Sequence, residues 1–369
     1  MTPRERLLAA LTCRQPDRVP LLAWGIAPLA PGWMADEPSY RPLLDLFFEK
    51  QVELKHRWAA GAGEFYSAAK APTESRTLEV NGRTRTETVL HTPKGPLTAI
   101  SQSVPGTITS GTLKRFVATE EDLDRLLSLP YEPPRPDVSS FAEADRLVGD
   151  RGVVTFRISD AMGVLGGVCE AYALVLLCAT RTELMVRALD TYAERIYAFV
   201  EHVLRGGARP IFIISGPEYI TPPLLSPRFF RPLVTDYLRR LTELIHAHGA
   251  RVIIHCHGNL NAVLEALIET GADGLHPVEA PPMGDVALAD AKRRMEGKMA
   301  IVGGIQIGEM FDRTPEEISR QVREVIREAG RGGGLILTTT ATPYQKPLAP
   351  RTLENYRALI ETYQACGVY

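Results

Sequence analysis

The sequence predicts a TIM (β/α)8 barrel, an α/β fold in which parallel strands alternate with helices around a cylinder. From residue 152 onward, short apolar runs typical of buried strands alternate with amphipathic segments typical of helices, giving about six strand–helix units. The preceding part of the chain supplies one or two more, so the count reaches about eight. No GxGxxG motif follows a strand and no P-loop motif is present, which disfavours a nucleotide-binding open sheet.

The N-terminal part is predicted to contain a helix, a first strand, a second helix and an antiparallel insertion. Thr2 caps the first helix, and the segment RQPDRVPLLAWG is a loop followed by a strand. Residues 40–60 have the apolar spacing of a helix. Residues 76–117 alternate apolar and polar side chains around an Asn-Gly turn, which predicts antiparallel strands outside the barrel wall. We therefore expect one domain over residues 1–369 with this insertion.

The remaining units are short strands that each precede a helix. The best-signalled helix is TPEEISRQVREVIREAG, where Thr314 is the cap, Pro315 takes the first position and Glu317 the third. The predicted strands are GVVTFRI, PIFIIS, RVIIHCH, ADGLHPVEA, MAIVGGIQ and GLILTTT.

The stretch IIHCHGNL, residues 253–260, contains the clearest functional signal. Alternate residues of a strand point to the same side, so His255 and His257 are expected to face one pocket, with Cys256 turned away. Two imidazoles at the carboxyl end of a barrel strand suit a metal, an anion or proton transfer.

Barrel active sites lie where the strands end, and strand ends select the other candidates. The candidate catalytic residues are Asp160, Glu218, His255, His257 and Glu279. The candidate substrate-binding residues are Trp24, Gln306, Thr340 and Tyr344. The candidate ligands of a divalent metal, with zinc favoured, are His255, His257, Glu218 and Glu279.

Alternatives to these roles stay open. The carboxylates could bind a cationic substrate group, act as general acids and bases, or form structural ion pairs. Trp24 and Tyr344 could belong to the core, and a core role is favoured for His276.

Composition excludes several classes of function. A net charge of −2 disfavours nucleic-acid binding, and no apolar run approaches the ~20 residues that span a membrane. The five cysteines are scattered and form no CxxC pair, which disfavours a disulfide framework. The first residues, MTPRERLLAALTC, lack the hydrophobic region of a signal peptide, so the cytoplasm is the expected compartment.

Four segments resemble the superfamily of uroporphyrinogen decarboxylase and the related cobalamin-dependent methyltransferases. They are RERLLAALTCRQPDRVPL, KRFVATEEDLDRLLSLP, LLSPRFFRPLVTDYLRRLTELIHAHGARVIIHCHGNL and ENYRALIETYQACG. The resemblance covers nearly the whole length. It implies a TIM barrel whose pocket lies at the carboxyl ends of the strands.

Two departures from the family patterns bear on the activity. The decarboxylase carries an Arg-Gln-Ala-Gly-Arg motif after the first strand, whereas LLAWGIAPLAPGW contains no arginine. Without cations the carboxylates of uroporphyrinogen lack partners, and the residues at the strand ends are mostly acidic or neutral. We therefore predict no useful turnover of that substrate unless a basic group such as Arg157, Lys114 or Arg115 compensates. The methylcobamide:coenzyme M branch holds zinc with His-x-Cys and a later cysteine. Here His255 matches, His257 replaces the cysteine, and LTTTATPYQKPL has none, so coenzyme M is not supported as acceptor.

The leading hypothesis is a methyltransferase that works with a corrinoid protein or a small methylated substrate, with a metal such as zinc as an optional aid. The alternatives are a decarboxylase of uroporphyrinogen or another acid, and a non-catalytic module that binds a corrinoid or a partner protein. Convergent ionisable groups favour an enzyme. We expect a small-molecule substrate and keep a corrinoid protein and a homodimer open as partners.

Overall fold

Eleven strands form two sheets in the structure, a computed structural model that describes residues 1–60, 65 and 72–369. In chain order the strands are β1 (Leu54–Arg57), β2 (Thr73–Val80), β3 (Arg83–Leu90), β4 (Leu97–Ser103), β5 (Ser110–Lys114), β6 (Gly152–Ser159), β7 (Ile211–Ser215), β8 (Arg251–His255), β9 (Gly274–His276), β10 (Ala300–Ile305) and β11 (Leu335–Thr339). Seven of them pair in parallel in the order β1-β6-β7-β8-β9-β10-β11.

The segment around Leu22 closes this parallel sheet. The Leu22 amide donates to the Leu337 carbonyl at 2.9 Å, which ties the segment to β11. The Ala23 amide donates to the Glu53 carbonyl at 3.0 Å, which ties it to the start of β1. These parallel bridges place the predicted first strand as the eighth member of the barrel. The predicted TIM-barrel fold is confirmed.

The predicted antiparallel insertion is also confirmed. Strands β2 to β5 form a separate sheet in which each strand pairs with the next along the chain. The sheet begins at Thr73, three residues before the predicted boundary. Asn81 and Gly82, with φ of 52° and 70°, turn the chain between β2 and β3, as a tight hairpin requires.

The helix predicted over residues 40–60 is wrong in its second half. Helix α2 ends at Glu49, Gln51 has a φ of 52°, and β1 follows at Leu54. The apolar spacing of a helix continues past this point, but pairing with β6 decides the conformation. Because β1 is part of the barrel wall, this correction brings Lys55 and Arg57 to the barrel.

The predicted helices that follow the later strands are present. The capping box of Thr314 and Glu317 is formed at the start of α12. The α-helices are α1 (Pro3–Leu11), α2 (Arg41–Glu49), α3 (Glu120–Leu127), α4 (Ser140–Val148), α5 (Ala161–Val168), α6 (Ala171–Thr180), α7 (Thr182–Arg205), α8 (Asp236–Ala247), α9 (Leu264–Ile268), α10 (Leu288–Met295), α11 (Glu309–Asp312), α12 (Pro315–Ala329) and α13 (Pro350–Cys366). Short 3₁₀ turns lie at Gly32–Ala35, Pro38–Tyr40, Gly149–Arg151, Pro217–Ile220 and Pro227–Phe229, and a π turn at Arg231–Thr235. Among the described residues, no helix has both the length and the apolarity to cross a bilayer.

The described residues form two hydrophobic cores. The larger one lies between the barrel and its helices. The smaller one fills the inside of the barrel, where Val153, Ile213, Ile253 and Val302 meet side chains of α1 such as Leu11. Helix α1 therefore packs against the apolar interior. The inward-facing positions further along the strands carry polar side chains, and the candidate site lies there.

Candidate active site

A relay of two histidines lies at the ends of β8 and β9. His276 Nε2 is 3.1 Å from the Thr339 carbonyl, and His276 Nδ1 is 2.8 Å from His255 Nδ1. Burial lowers the pKa of His255 to about 2 and that of His276 well below its usual value, so both rings are neutral. A carbonyl can only accept, so His276 carries its proton on Nε2 and accepts from His255 Nδ1. His255 Nε2 is consequently left as an unprotonated acceptor.

The sequence favoured a core role for His276, and the ring is fully buried. His276 also belongs to the candidate site, because its Nδ1 atom forms a hydrogen bond with His255. Its position at the end of a barrel strand is the signal that would have included it.

Trp24 lies between a cation and the relay. Its ring stacks on His276 with centroids 3.6 Å apart, and Lys55 Nζ lies 3.8 Å from the centroid of the Trp24 ring. Burial, with a further contribution from Arg157 and Arg57, lowers the pKa of Lys55 to about 7. Both faces of Trp24 thus have protein neighbours, and the side chain is only 7% exposed.

Three cations form a wall on one side of the barrel mouth, which we call the cationic wall: Lys55, Arg57 and Arg157. Strands β1 and β6 are neighbours, and Arg57 is in register with Thr155, two residues before Arg157. Within the described chain, none of the three forms an ion pair with a carboxylate. The residues predicted for the strand ends are mostly acidic or neutral, with Arg157 among the basic groups that could compensate. The wrong helix over the second half of residues 40–60 hid β1, so the sequence did not indicate Lys55 and Arg57.

His257 and Glu279 form a hydrogen-bonded pair beside the relay. His257 Nδ1 is 3.0 Å from Glu279 Oε2, and the rings of His255 and His257 lie 4.9 Å apart at 85°. Cys256 is fully buried in the outer core. Strand alternation thus brings the two rings together and turns Cys256 away, whereas only His257 lines the cavity described below, so the expectation that both histidines face one pocket is not met.

Asp160 and Glu218 lie together in the loops after β6 and β7. Asp160 Oδ1 accepts from the Gly163 amide at 2.6 Å, and Glu218 Oε2 accepts from the Gly216 amide at 2.8 Å. Burial raises the pKa of Asp160 to about 8, and burial also raises the pKa of Glu218. Gly216 has a φ of 145°, and a Cβ there would lie 1.8 Å from Asp160 Oδ1, so this close approach requires glycine.

A cavity of about 740 Å³ opens beside the histidine–glutamate pair. It brings together five of the nine predicted site residues, namely His257, Glu279, Gln306, Thr340 and Tyr344. Thr340 Oγ1 is 3.2 Å from Gln306 Oε1, which fixes that amide, and Tyr344 is 37% exposed. The other four, Trp24, Asp160, Glu218 and His255, are not among the residues that line it.

The predicted zinc ligands fall short of a metal site. In residues 1–60, 65 and 72–369, no three His, Cys, Asp or Glu side chains are grouped so that they could hold a metal ion. His255 and His257 are oriented through their Nδ1 atoms, as metal-binding histidines commonly are. Two imidazoles are fewer than the three protein ligands of a catalytic zinc site. The residues present therefore do not fit a catalytic zinc site, and no step of the proposed reaction uses zinc.

Comparisons with known proteins place these residues in a family. The family model described as uroporphyrinogen decarboxylase (URO-D) matches residues 162–364. The chain is 27% identical over 181 residues to the methylcobamide:CoM methyltransferase MtaA of Methanosarcina barkeri, covering 49% of this chain and 48% of the relative. It is 25% identical over 173 residues to uroporphyrinogen decarboxylase of Neisseria gonorrhoeae (strain NCCP11945), covering 46% of each. The chain thus spans about half the length of the curated relatives it matches.

The fold of this chain is similar over its whole length to that of a protein of known structure. A methyltransferase from Methanosarcina mazei superposes with a TM-score of 0.62 at 17% identity, covering 99% of both chains. At that identity the likeness shows the fold alone. Together with the barrel and the match over more than half of the chain, these findings show that the protein belongs to the uroporphyrinogen decarboxylase family, which includes both decarboxylases and methyltransferases.

Proposed function

We propose that the protein is a methyltransferase that moves a methyl group between a heteroatom of a small substrate and a corrinoid protein. The observation that supports this is the His257–Glu279 pair, which lines a cavity whose wall contains both apolar side chains and charged ones, the latter being Glu309, Asp312, Arg313, Glu324 and Glu328. Val278, Ile307 and Leu288 are among the apolar side chains. The apolar part of this lining suits an uncharged methyl-bearing group, and the acid–base pair beside it meets the proton requirement of methyl transfer.

The pair has a defined role in that transfer. When a methyl group leaves an oxygen or nitrogen as a cation equivalent, the heteroatom keeps the bonding electrons and takes up one proton. Protonated His257 donates that proton from Nε2, while Glu279 holds Nδ1 and stabilises the imidazolium. In the reverse direction neutral His257 accepts the proton. The corrinoid, carried by the partner protein, receives or supplies the methyl group and is a co-substrate.

Gln306 and Thr340 would position the substrate. The Thr340 hydroxyl donates to Gln306 Oε1 and accepts from the Ile307 amide, which holds both side chains at the cavity wall. The free amide hydrogens of Gln306 can then donate to a polar group of the ligand. Tyr344, which packs on Phe311 with centroids 5.0 Å apart, would cover the outer end of the ligand.

The test uses free cob(I)alamin under anaerobic conditions with methanol, trimethylamine or 4-methoxybenzoate as methyl donor. Formation of methylcobalamin is followed by absorbance, with protein-free and His257→Gln reactions as controls. At least one donor is expected to react faster with the protein, and the variant is expected to lose that rate. Failure with every donor, combined with product from uroporphyrinogen, would overturn the proposal.

The cationic wall favours a second candidate, a decarboxylase. The segment LLAWGIAPLAPGW contains no cation, but Lys55, Arg57 and Arg157 supply positive charge at the barrel mouth. The argument from sequence against acidic substrates therefore loses its premise. Asp160, protonated at neutral pH, could donate to a developing carbanion. Anaerobic incubation with uroporphyrinogen and chromatography of the products tests it. Turnover to coproporphyrinogen at ~1 per second or faster would make this the leading function.

A further inference from the structure

We propose that the cationic wall is a carboxylate-binding subsite, so that the substrate of the proposed methyl transfer is an organic acid. That the bound acid is a substrate rests on the proposed function, whereas binding of a carboxylate depends only on the residues of the wall. It lies on the inner face of β1 and β6, across the relay from the His257–Glu279 pair.

The three cations share one face of two neighbouring strands. Lys55 and Arg57 are two residues apart on β1, so their side chains point the same way. Val153, in register with Lys55, lies in the barrel interior, and Arg157 is four residues further along β6 on the same face. Neighbouring strands are about 4.8 Å apart. One small anion can therefore reach more than one of these cations.

The three cations of the wall lack the close ion pairs that similar groups have elsewhere in the described residues. At the start of the same strand, buried Glu53 has Arg6 at 2.9 Å. Lys55, Arg57 and Arg157, by contrast, have no carboxylate within salt-bridge distance among residues 1–60, 65 and 72–369. Glu218 attracts Arg157, but its Oε2 accepts from the Gly216 amide. Cations that repel each other without a counter-ion are stabilised when an anion binds.

The subsite is open to solvent and suited to a carboxylate. Arg157 is exposed even though it lies on the inward face of its strand, so the mouth is accessible there. Guanidinium groups bind a planar carboxylate through two parallel hydrogen bonds, and the Lys55 ammonium adds a point charge. The relay adds a second polar contact, because His255 Nε2 can accept a hydrogen bond from a hydroxyl on the same ligand.

Calorimetric titration of the full chain tests the subsite without any methyl transfer. The probes are benzoate and succinate, with benzamide as the uncharged match for benzoate and inorganic phosphate as the competing oxyanion. At least one carboxylate is expected to bind ten-fold or more tightly than benzamide and more weakly as salt is raised. Arg157→Gln and Lys55→Met are each expected to weaken that binding roughly ten-fold or more. Arg83→Gln, at an exposed position of the outer sheet, is the matched control and should leave it unchanged.

The outcomes separate this inference from the proposed function. Carboxylate binding that the wall variants abolish supports the subsite even if no methyl donor reacts. Methyl transfer from neutral donors with no carboxylate binding overturns the subsite and leaves the function standing. Binding of phosphate alone, or carboxylate binding that both wall variants retain, also overturns it. Because Arg157 is exposed, its variant should fold, and thermal melting of each variant verifies this.

Discussion

The two sides of the barrel mouth differ in charge, in chemistry and in their relation to the family. On one side, the cationic wall lies on β1 and β6, before residue 162 where the family match begins. On the other, Glu218, the two histidines and Glu279 all lie within the matched residues 162–364. The acid–base pair thus belongs to the part shared with the family. The charge that would select an acid lies in the part that the match does not reach.

Burial also shifts the pKa values of the ionisable groups on the two sides in opposite directions. Burial lowers the pKa of Lys55 to about 7 and raises the pKa of Asp160 to about 8. Each shift favours the neutral form, because a buried charge is poorly solvated. One site consequently contains a base and an acid that both change charge near neutral pH. Variants that change one side at a time test whether the two sides act independently.

The largest expected effect is on the histidine side. His257→Gln keeps a polar side chain but removes the proton carrier, so the rate of methyl transfer should fall about 100-fold or more. Carboxylate binding at the wall should change little, because His257 lies on the other side of the relay. Initial rates and calorimetric titration measure the two effects. The control is His248→Gln at the end of α8, and equal losses in both variants would contradict the assignment.

The second-largest expected effect is on the free energy of unfolding, through Asp160 on the acidic side of the barrel mouth. A carboxyl whose pKa is raised on folding stabilises the protein at low pH, and that contribution is lost as pH rises from about 4 through about 8. Asp160→Asn keeps an oxygen that can accept from the Gly163 amide but cannot ionise. At pH 9 the variant should be more stable than the parent by on the order of 2 kcal/mol, with little difference at pH 4.

Urea unfolding at pH 4, 7 and 9 measures this difference. Asp150→Asn, at an exposed position before β6, is the matched control and should show no such trend. If the free energy of unfolding of Asp160→Asn follows the parent at all three pH values, Asp160 is ionised in the folded protein and its role as an acid is excluded.

The positions of the residues on the histidine side could be predicted from the sequence because their signals are local. A short β-branched run followed by His-Cys-His gives the strand, its end and the side of each ring by alternation alone. Asp160, Glu218 and Glu279 follow from the same rule that strand ends carry the site. The contact between His257 and Glu279 joins β8 to the loop after β9, so the sequence offered both residues but not their pairing.

Two of the three cations on the other side, Lys55 and Arg57, were missed because their signals are not local. Residues 40–60 keep the spacing of a helix, and only the pairing of Leu54–Arg57 with β6 makes the second half a strand. With β1 assigned to a helix, Lys55 and Arg57 were not recognised as residues of the barrel mouth. The His255–His276 contact likewise depends on the register of β8 and β9, which strand prediction does not supply.

A smaller effect on stability is expected at the cationic wall. A lysine whose pKa is lowered on folding destabilises the folded state below its unfolded value near 10.5, and the penalty grows as pH falls to about 7. Lys55 is only partly buried, so the penalty at pH 7 is reduced to roughly 1 kcal/mol. Lys55→Met should therefore be more stable than the parent by about that amount at pH 7, less the loss of its contact with Trp24. The advantage should shrink as pH rises towards 10.

The decisive measurement is the pH trend: a stability difference between variant and parent that stays constant from pH 7 to pH 10 would mean that folding does not lower the pKa of Lys55. Arg6→Met provides the contrast, because Arg6 on α1 pairs with Glu53, the residue that precedes β1. It leaves Glu53 buried without its cation, so unfolding at pH 7 should become easier by about 3 kcal/mol or more.

The smallest effect is a proton taken up when the wall binds an anion. In the free protein Lys55 is mostly neutral at pH 8, because its pKa is about 7. A carboxylate within a few ångströms favours the charged ammonium and raises that pKa, so binding should draw in about half a proton or more at pH 8. At pH 6 the lysine is already charged and uptake should be small. Titration of succinate or benzoate in Tris and in HEPES, whose ionisation enthalpies differ, gives the number of protons from the difference in heat.

The control for this measurement is Lys55→Met, which should bind the carboxylate more weakly and take up no proton. Equal uptake in the parent and the variant would assign the proton to another group, such as Asp160 or Glu218, and would place the ligand on the acidic side of the mouth instead of at the cationic wall.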